Sequence, residues 1–340
     1  MAGEQVTEKI LIVGPAWIGD MVMAQSLFIT LKKRFPGTII DVIAPTWSVP
    51  VLSRMPEVNS SIQLDVAHKK LSFWKRVKTG IKLRSNHYSR AIIIPRSLKA
   101  AIVPYMSKIP VRTGYRGEMR YGLLNDIRKL DKDILTQTVQ RQVALGLPVN
   151  ANLPPETPYP KLKVDNQNQK VLLSRLELNT DKPIVGLIPG AEYGPAKQWP
   201  VNSFAQLTEK LISAGHQVWI FGSEKDRTLG NTITGKKVNA KNLCGKTSLT
   251  DVVDLIDLCQ CVITNDSGLM HIAAATSKKI IAIYGSSTPL YTPPLTNLAA
   301  ILYKGLDCSP CFKRVCPYGH TNCLKSISVD DVLEKLQSNE

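Results

Sequence analysis

Short apolar runs rich in β-branched residues alternate with helical stretches along the whole chain. Residues 9–13 read as a strand, 21–34 as a helix and 39–43 as a strand; 73–83 then reads as helix, 91–94 as strand and 98–107 as helix. The second half repeats the rhythm. Residues 184–188 read as a strand, followed by a helix over 203–214 in which Phe204, Leu207 and Leu211 recur at helical spacing. Residues 217–221, 261–264 and 280–284 read as strands, and 249–258 and 271–276 as helices. Strands alternating with helices predict parallel sheets covered on both faces. Between the halves, residues 150–168 are polar and proline-rich, and Leu153-Pro154-Pro155 and Pro158-Tyr159-Pro160 cannot propagate helix. The expected architecture is α/β: two Rossmann-like, doubly wound domains, 1–165 and 166–340, with the last helix able to pack back on the first domain. Such domains bind ligands beyond the carboxyl ends of their strands, here in a cleft between the two.

With 340 residues, 44% of them hydrophobic and 21% charged, the chain can bury two cores, which excludes a disordered or fibrous protein. No apolar run reaches the roughly 18 residues of a membrane-spanning helix. The first twenty residues carry Glu4 and Glu8, lack a basic start and are interrupted by Pro15. They read as a buried strand and not as an export signal, so a cytoplasmic location is expected. Charge changes the picture more. The net charge is +16, with 25 Lys+Arg against 12 Asp+Glu in residues 1–165 and 18 against 15 in residues 166–340. An excess concentrated in one half points to an anionic partner there: nucleic acid, a membrane surface or a phosphorylated substrate. Seven cysteines, an odd number, argue against a disulfide framework, and Cys244, Cys259 and Cys261 read as small core residues.

Several constellations could carry chemistry. Gly14-Pro-Ala-Trp17-Ile-Gly19-Asp20 follows the first strand, where a dinucleotide fold would carry G-x-G-x-x-G. Its glycines stand five apart, which disfavours NAD. Asp20 is either the cap of the first helix or a general base at the mouth of the strand. Thr264-Asn265-Asp266-Ser267-Gly268-Leu269-Met270-His271 runs from a strand into a helix. Asp266 or Ser267 caps that helix, or the N–H groups of Ser267, Gly268 and Leu269 hold a diphosphate. His271, one turn on, is structural or faces the cleft. The loop over residues 189–200 ends in Lys197, a solvated charge or a phosphate ligand, with Trp199 as a packing anchor. Asp226, after the next strand, is an acid in a helix's first turn or an acceptor for ribose hydroxyls. Arg96 and Lys99 follow one strand, and Arg112, Arg116 and Arg120 surround Gly114-Tyr115-Arg116-Gly117. Their four-residue spacing suits a helical face, although the glycines argue for a loop. Cys308, Cys311, Cys316 and Cys323, with His320 nearby, match a zinc site in number but not in standard spacing, leaving a structural metal, reversible disulfides or free thiols.

Four ordered words, GPAWIGDMVMAQSLF near the start, RTGYRGEMRYGLLND at 112–126, PGAEYGPAKQWP at 189–200 and TNDSGLMHIAAA at 264–275, resemble the lipopolysaccharide heptosyltransferases of glycosyltransferase family 9 over nearly the whole chain. The resemblance implies a GT-B fold with the lipopolysaccharide inner core bound by the first domain and ADP-heptose by the second. It implies inverting transfer of L-glycero-D-manno-heptose, with no metal and no cofactor required. Asp20 matches the family's catalytic aspartate. Lys197 and Ser267–Leu269 match its diphosphate-binding positions, and Asp226 an acid that holds the ribose. Thr247 falls near the adenine, and Asp266 and His271 fall in the donor site. Lys99, Arg112, Arg116 and Arg120 fall where acceptor phosphates or carboxylates would be held. One departure is Glu192-Tyr193, where another branch of the family has hydroxyl side chains. The basic half suits a protein working at the surface of the inner membrane without an anchor. The acceptor is expected to bear one heptose, with none or two as the alternatives within the family. From other classes, a basic nucleic-acid-binding protein would need aromatic residues among its basic clusters, and a nucleotide-sugar epimerase would need the missing NAD fingerprint. No nucleic-acid partner is expected.

Overall fold

The computed structural model describes residues 8–65 and 71–338; the opening of the segment tested above for an export signal lies outside them. The chain divides into two compact units, Met1–Pro160 and Lys161–Glu340. The first holds one six-stranded parallel sheet: β1 (Lys9–Val13), β2 (Ile39–Ala44), β3 (Ser60–Gln63), β4 (Arg90–Ile93), β5 (Val111–Tyr115) and β6 (Asp126–Arg128), in the order β3-β2-β1-β4-β5-β6. The second holds β7 (Ile184–Ile188), β8 (Gln217–Ile220), β9 (Ala240–Asn242), β10 (Cys261–Asn265), β11 (Lys279–Ile283) and β12 (Ala299–Leu302), in the order β12-β11-β10-β7-β8-β9. Counted within its own unit, each sheet runs 3-2-1-4-5-6, the doubly wound order. The direction of winding reverses between β1 and β4 in the first unit and between β7 and β10 in the second. Loops leaving those strands splay apart, and a crevice opens at their carboxyl ends.

The central strands are apolar because helices cover both faces. Every residue of β7 and β10 is buried, and so are Ile10–Val13 of β1. Leu11, Val13, Ile43, Ala91 and Ile93 share one core cluster of the first unit. Val185, Leu187, Val218, Ile220, Ile263 and Ile281 anchor that of the second. The elements that hydrophobic pattern alone does not reveal lie at the edges. β3 is Ser-Ser-Ile-Gln and only half-buried, and β6 and β9 have three residues each. β5 corrects the reading of the arginines: Arg112 lies in a strand and Arg116 and Arg120 beyond its end, so they share no helical face.

The first helix begins at Ile18, not at residue 21, so Asp20 lies inside its first turn. At the junction, residues from Lys161 onward are claimed by the second unit. The Leu162 N–H donates to the Ala275 carbonyl (2.9 Å), and the Asp165 N–H to Asp254 Oδ1 (2.8 Å). Asp165 in turn caps the helix Asn166–Arg175, accepting from the N–H groups of Gln167 and Asn168. The last helix, Val329–Gln337, places Val329, Val332, Leu333 and Leu336 against the second unit's core.

Asp254 is fully buried and accepts from both the Asp165 N–H and Asn168 Nδ2, the latter at 2.7 Å. Asp254→Ala strands the Asp165 N–H and leaves Asn168 Nδ2 only its bond to Asp251 Oδ1, and a loss of about 2–4 kcal/mol in unfolding free energy is expected from urea denaturation.

Candidate active site

In the second unit, the loops leaving β7 and β10 meet at the winding reversal. Asn265, at the end of β10 and fully buried, ties them together. Its Oδ1 accepts from the Trp199 N–H (3.0 Å), and its Nδ2 donates to the Pro189 carbonyl (2.7 Å). Trp199 is the packing anchor of its loop, buried edge-on against Phe204 with Nε1 donating to the Ile327 carbonyl (2.9 Å). Held between these fixed points, the turn Pro195–Lys197 directs Lys197 Nζ onto Asp266 Oδ2. The same carboxylate oxygen accepts from Ser287 Oγ, on the loop after β11. Lys197 keeps 16% of its side-chain surface exposed and Asp266 only 4%, so the ammonium is the wet end of a nearly dry pair. Ser267 caps the helix Gly268–Ala274 through a bond from the Met270 N–H (3.4 Å). His271 is buried just below; burial pushes its pKa down to about 4, and Nδ1 has no hydrogen-bond partner among the described residues. A neutral, shielded imidazole is a supporting group.

Asp226 also stands at this end of the sheet. Its Oδ2 accepts from Ser223 N (2.8 Å) and Ser223 Oγ (2.7 Å), closing a reciprocal cap. A Cβ on Gly190 would lie 2.5 Å from Asp226 Oδ1, and one on Gly222 would lie 2.8 Å from its Cβ. Both glycines are therefore required to seat this carboxylate across the ends of β7 and β8. Thr247 lies beyond β9 with a shielded hydroxyl that has no hydrogen-bond partner among the described residues.

In the first unit, the loop leaving β1 carries Gly14, whose missing Cβ makes room for Met21 Cε at 2.5 Å. Asp20 follows, half-buried in the third position of the helix Ile18–Arg34. The loop leaving β4 is braced from β5: Arg120 Nη1 donates to the carbonyls of Pro95 (2.6 Å) and Ser97 (3.3 Å), and Nη2 to that of Tyr115 (2.6 Å). Glu118 accepts from the Leu98 N–H (2.7 Å), so it serves the start of the helix Leu98–Met106, whose second residue is Lys99.

Residues 76–322 match the family described as glycosyltransferase family 9 (heptosyltransferase). A protein called lipopolysaccharide heptosyltransferase 2, from Salmonella typhimurium (strain LT2), is 44% identical over 97% of this chain and 98% of its own. The chain belongs to glycosyltransferase family 9. The solved structure described as Escherichia coli ADP-heptose lps heptosyltransferase II matches with a TM-score of 0.86 at 42% identity, covering 96% of this chain and 97% of that one. Proteins called lipopolysaccharide heptosyltransferase 3 (Escherichia coli) and 1 (Pseudomonas aeruginosa) stand further off. The first is 24% identical over 82% of this chain and 84% of its own, the second 21% over 92% and 88%.

This family 9 glycosyltransferase has the GT-B class of fold, and its membership sets aside the nucleic-acid and epimerase readings. The structure corrects two acceptor assignments. Arg120 is buried, its guanidinium spent on three carbonyls, and desolvation lowers its pKa to about 10. Arg112 sits near the amino end of β5, away from the crevice. It donates to the carbonyls of Leu123 (2.7 Å) and Ile109 (2.5 Å) and lies 5.6 Å from the Tyr105 ring. Arg116 is exposed and Lys99 half-exposed near the carboxyl ends of β5 and β4. Two tryptophans assigned no role from sequence, Trp17 and Trp47, stand 42% and 43% exposed on the loops leaving β1 and β2, with Trp47 Nε1 bonded to the Ala16 carbonyl (2.7 Å). A tryptophan three or four residues past an apolar run was the available signal. Cys308, Cys311, Cys316 and Cys323 border one small cavity with His320, yet among the described residues no three such side chains are placed to hold a metal ion.

Replacing Arg120 by Met is expected to cost about 2–3 kcal/mol of stability, since one buried and two partly buried carbonyls lose a charged donor. Arg116→Ala should change stability by less than about 0.5 kcal/mol. Thermal unfolding of the two variants side by side separates the brace from the surface charge.

Proposed function

We propose that this glycosyltransferase moves L-glycero-D-manno-heptose from ADP-heptose to the inner core of lipopolysaccharide, onto an acceptor that already bears its first heptose. The observation that carries the reading is the Lys197–Asp266 pair at the winding reversal of the second sheet. An ammonium has three donors, and with one committed to Asp266 two remain for phosphate oxygens. Asp266 aims the cation, and Ser287 helps to satisfy the carboxylate, so the group needs little reorganisation when charge develops. The first-turn N–H groups at Ser267, Gly268 and Leu269 add donors for the diphosphate. Asp226 accepts from the ribose, and Thr247 stands by the adenine. His271 packs beneath the site, uncharged.

Asp20 is the base. Its carboxylate takes the proton from the acceptor hydroxyl as that oxygen attacks the anomeric carbon, and the bond to ADP breaks on the opposite face, inverting the centre. The leaving diphosphate gains negative charge, which Lys197 and the N–H groups absorb; no step in this scheme draws on a metal or a cofactor. Lys99 and Arg116 hold acceptor anions, and Trp17 and Trp47 offer flat faces to its sugars. Asp20→Ala is expected to abolish transfer with ADP-heptose affinity within about twofold of the parent. Lys197→Ala should weaken donor binding and also slow turnover, by about 2–4 kcal/mol in kcat/KM. Assays with acceptors carrying zero, one and two heptoses check the acceptor; transfer to the one-heptose form is expected. Full activity in Asp20→Ala would reduce that residue to a helix-turn carboxylate.

The enzyme reaches this acceptor as a peripheral protein at the cytoplasmic face of the inner membrane. No helix among the described residues is long and apolar enough to cross a membrane. The helix Phe73–Lys82 instead exposes Trp74 and Ile81 among Lys75, Lys78 and Lys82, an apolar-basic face suited to anionic headgroups. Sedimentation with phosphatidylglycerol vesicles should capture the protein at low salt and release it at high salt. Trp74→Ala combined with Lys78→Ala should reduce capture without affecting transfer to a soluble acceptor.

A further inference from the structure

The cysteine-rich loop is fastened to the loop that carries Lys197. The Ala196 N–H donates to the Arg314 carbonyl (3.1 Å), Tyr193 Oη to the Phe312 carbonyl (2.6 Å), and the Phe312 N–H to the Ser286 carbonyl (2.7 Å). Ser309 Oγ donates to the Gly285 carbonyl. Gly194 permits the contact, because a Cβ there would lie 2.5 Å from the Arg314 carbonyl oxygen. The four thiols line a cavity whose wall also includes Ala196 and Ser286, the neighbours of Lys197 and Ser287. This segment is thus built against the Lys197–Asp266 site.

Its chemical consequence is at Tyr193. Lys197 Nζ lies 5.0 Å from the ring centroid and Arg314 Cζ lies 5.1 Å from it, so the two cationic centres are no more than about 10 Å apart. The ring's electron-rich face attracts both. Lys197 has its charge balanced by Asp266, whereas Arg314 is exposed and forms no ion pair among the described residues. Two cations gathered at one tyrosine, with one carboxylate paired to Lys197, leave a net positive charge. An anion of two phosphates supplies the complement, and a guanidinium can meet a phosphate with two parallel N–H bonds where an ammonium meets it as a point charge.

We propose that Arg314 is a second phosphate-binding cation of the donor site, delivered by the cysteine-rich loop and oriented on Tyr193. The proposal rests on the reading of Lys197 as a ligand of the donor diphosphate. It gives the Glu192-Tyr193 departure a use: where hydroxyl side chains would touch the diphosphate directly, Tyr193 serves it by holding two cations. Arg314 is then a binding residue, and its removal falls on the donor constant more than on the acceptor constant.

Calorimetric titration of the full chain with ADP and with adenosine tests this in the parent, Arg314→Ala, Arg314→Lys and Lys197→Ala. Arg314→Ala is expected to weaken ADP at least about tenfold, leave adenosine within twofold, and flatten the salt dependence of ADP binding; Arg314→Lys recovers part of the loss. In turnover, the donor KM rises while the acceptor KM stays. If Arg314→Ala binds ADP as the parent does while Lys197→Ala does not, Arg314 is a solvated charge and the proposal fails with the donor site intact. Equal weakening of ADP and adenosine would make it a support for the loop and no ligand, which also overturns the proposal. If neither variant changes ADP binding, the reading of Lys197 itself falls.

Discussion

The buried pairing of Lys197 with Asp266 sets the terms for everything around it. Placing a carboxylate with 4% of its surface exposed at the end of β10 is costly unless it is paired and hydrogen-bonded. The cost is offset by the ammonium and by Ser287 Oγ, which come from the loops after β7 and β11. Those loops must therefore be held in register with β10. Asn265 does so for the first through its two amide bonds, and Trp199 fixes that loop's far end in the core. The cysteine-rich loop closes the arrangement by bonding to Ala196 and Ser286. A single desolvated carboxylate thus accounts for the buried asparagine, the buried tryptophan and a serine contact that would otherwise look unrelated.

The two halves reached this state by the same topology and different chemistry. Both sheets wind in one order, so both open a crevice at the same strand ends. In the second unit the crevice is lined by groups held in place by their own bonds, Lys197 on Asp266 and Asp226 on Ser223. In the first it is bordered by exposed indoles and by exposed or half-exposed cations.

Most of the doubly wound pattern was legible because central parallel strands are buried on both faces and read as apolar runs. β7, β10 and β11 stand within one residue of the expected spans, since apolar residues make up most of each. β3, β6 and β9 were not legible, because short, half-wet edge strands take their stability from pairing with a neighbour and carry little pattern of their own. In the site, spacing alone left Asp20, Asp226, Ser267 and Lys197 each with a structural and a chemical reading, and for Asp226 and Ser267 the structure shows the capping bond. Asp226 closes a cap with one oxygen while the other lies at Gly190. What a linear sequence does not carry is which distant loop a side chain meets: Tyr193 sits between Lys197 and a residue 121 positions away, Arg314.

The basic half shows where reasoning from charge needs reasoning about donors beside it. Residues 66–117 contain thirteen Lys+Arg and no Asp or Glu, equal to the whole excess of the first half. Yet its arginines are heavily used on the main chain. Arg76 donates to the Leu71 carbonyl (2.8 Å), Arg84 to that of Met106 (2.9 Å) and Arg112 to two carbonyls, while Arg120, just beyond, serves three. A guanidinium carries five N–H donors in a fixed fork, so one side chain can satisfy several loop carbonyls at once, which an ammonium on a flexible stem does less well. Such a donor is no longer available to a ligand, but its charge is not cancelled. The long-range field sums over every cation whatever its hydrogen bonds, and it acts on an anionic acceptor out to about a Debye length, roughly 8–10 Å at physiological salt. Attraction and contact therefore belong to different residues. The bracing arginines contribute to the first, and under the function proposed above the contacts fall to the few cations, among them Lys99 and Arg116, that stand at the crevice with donors to spare.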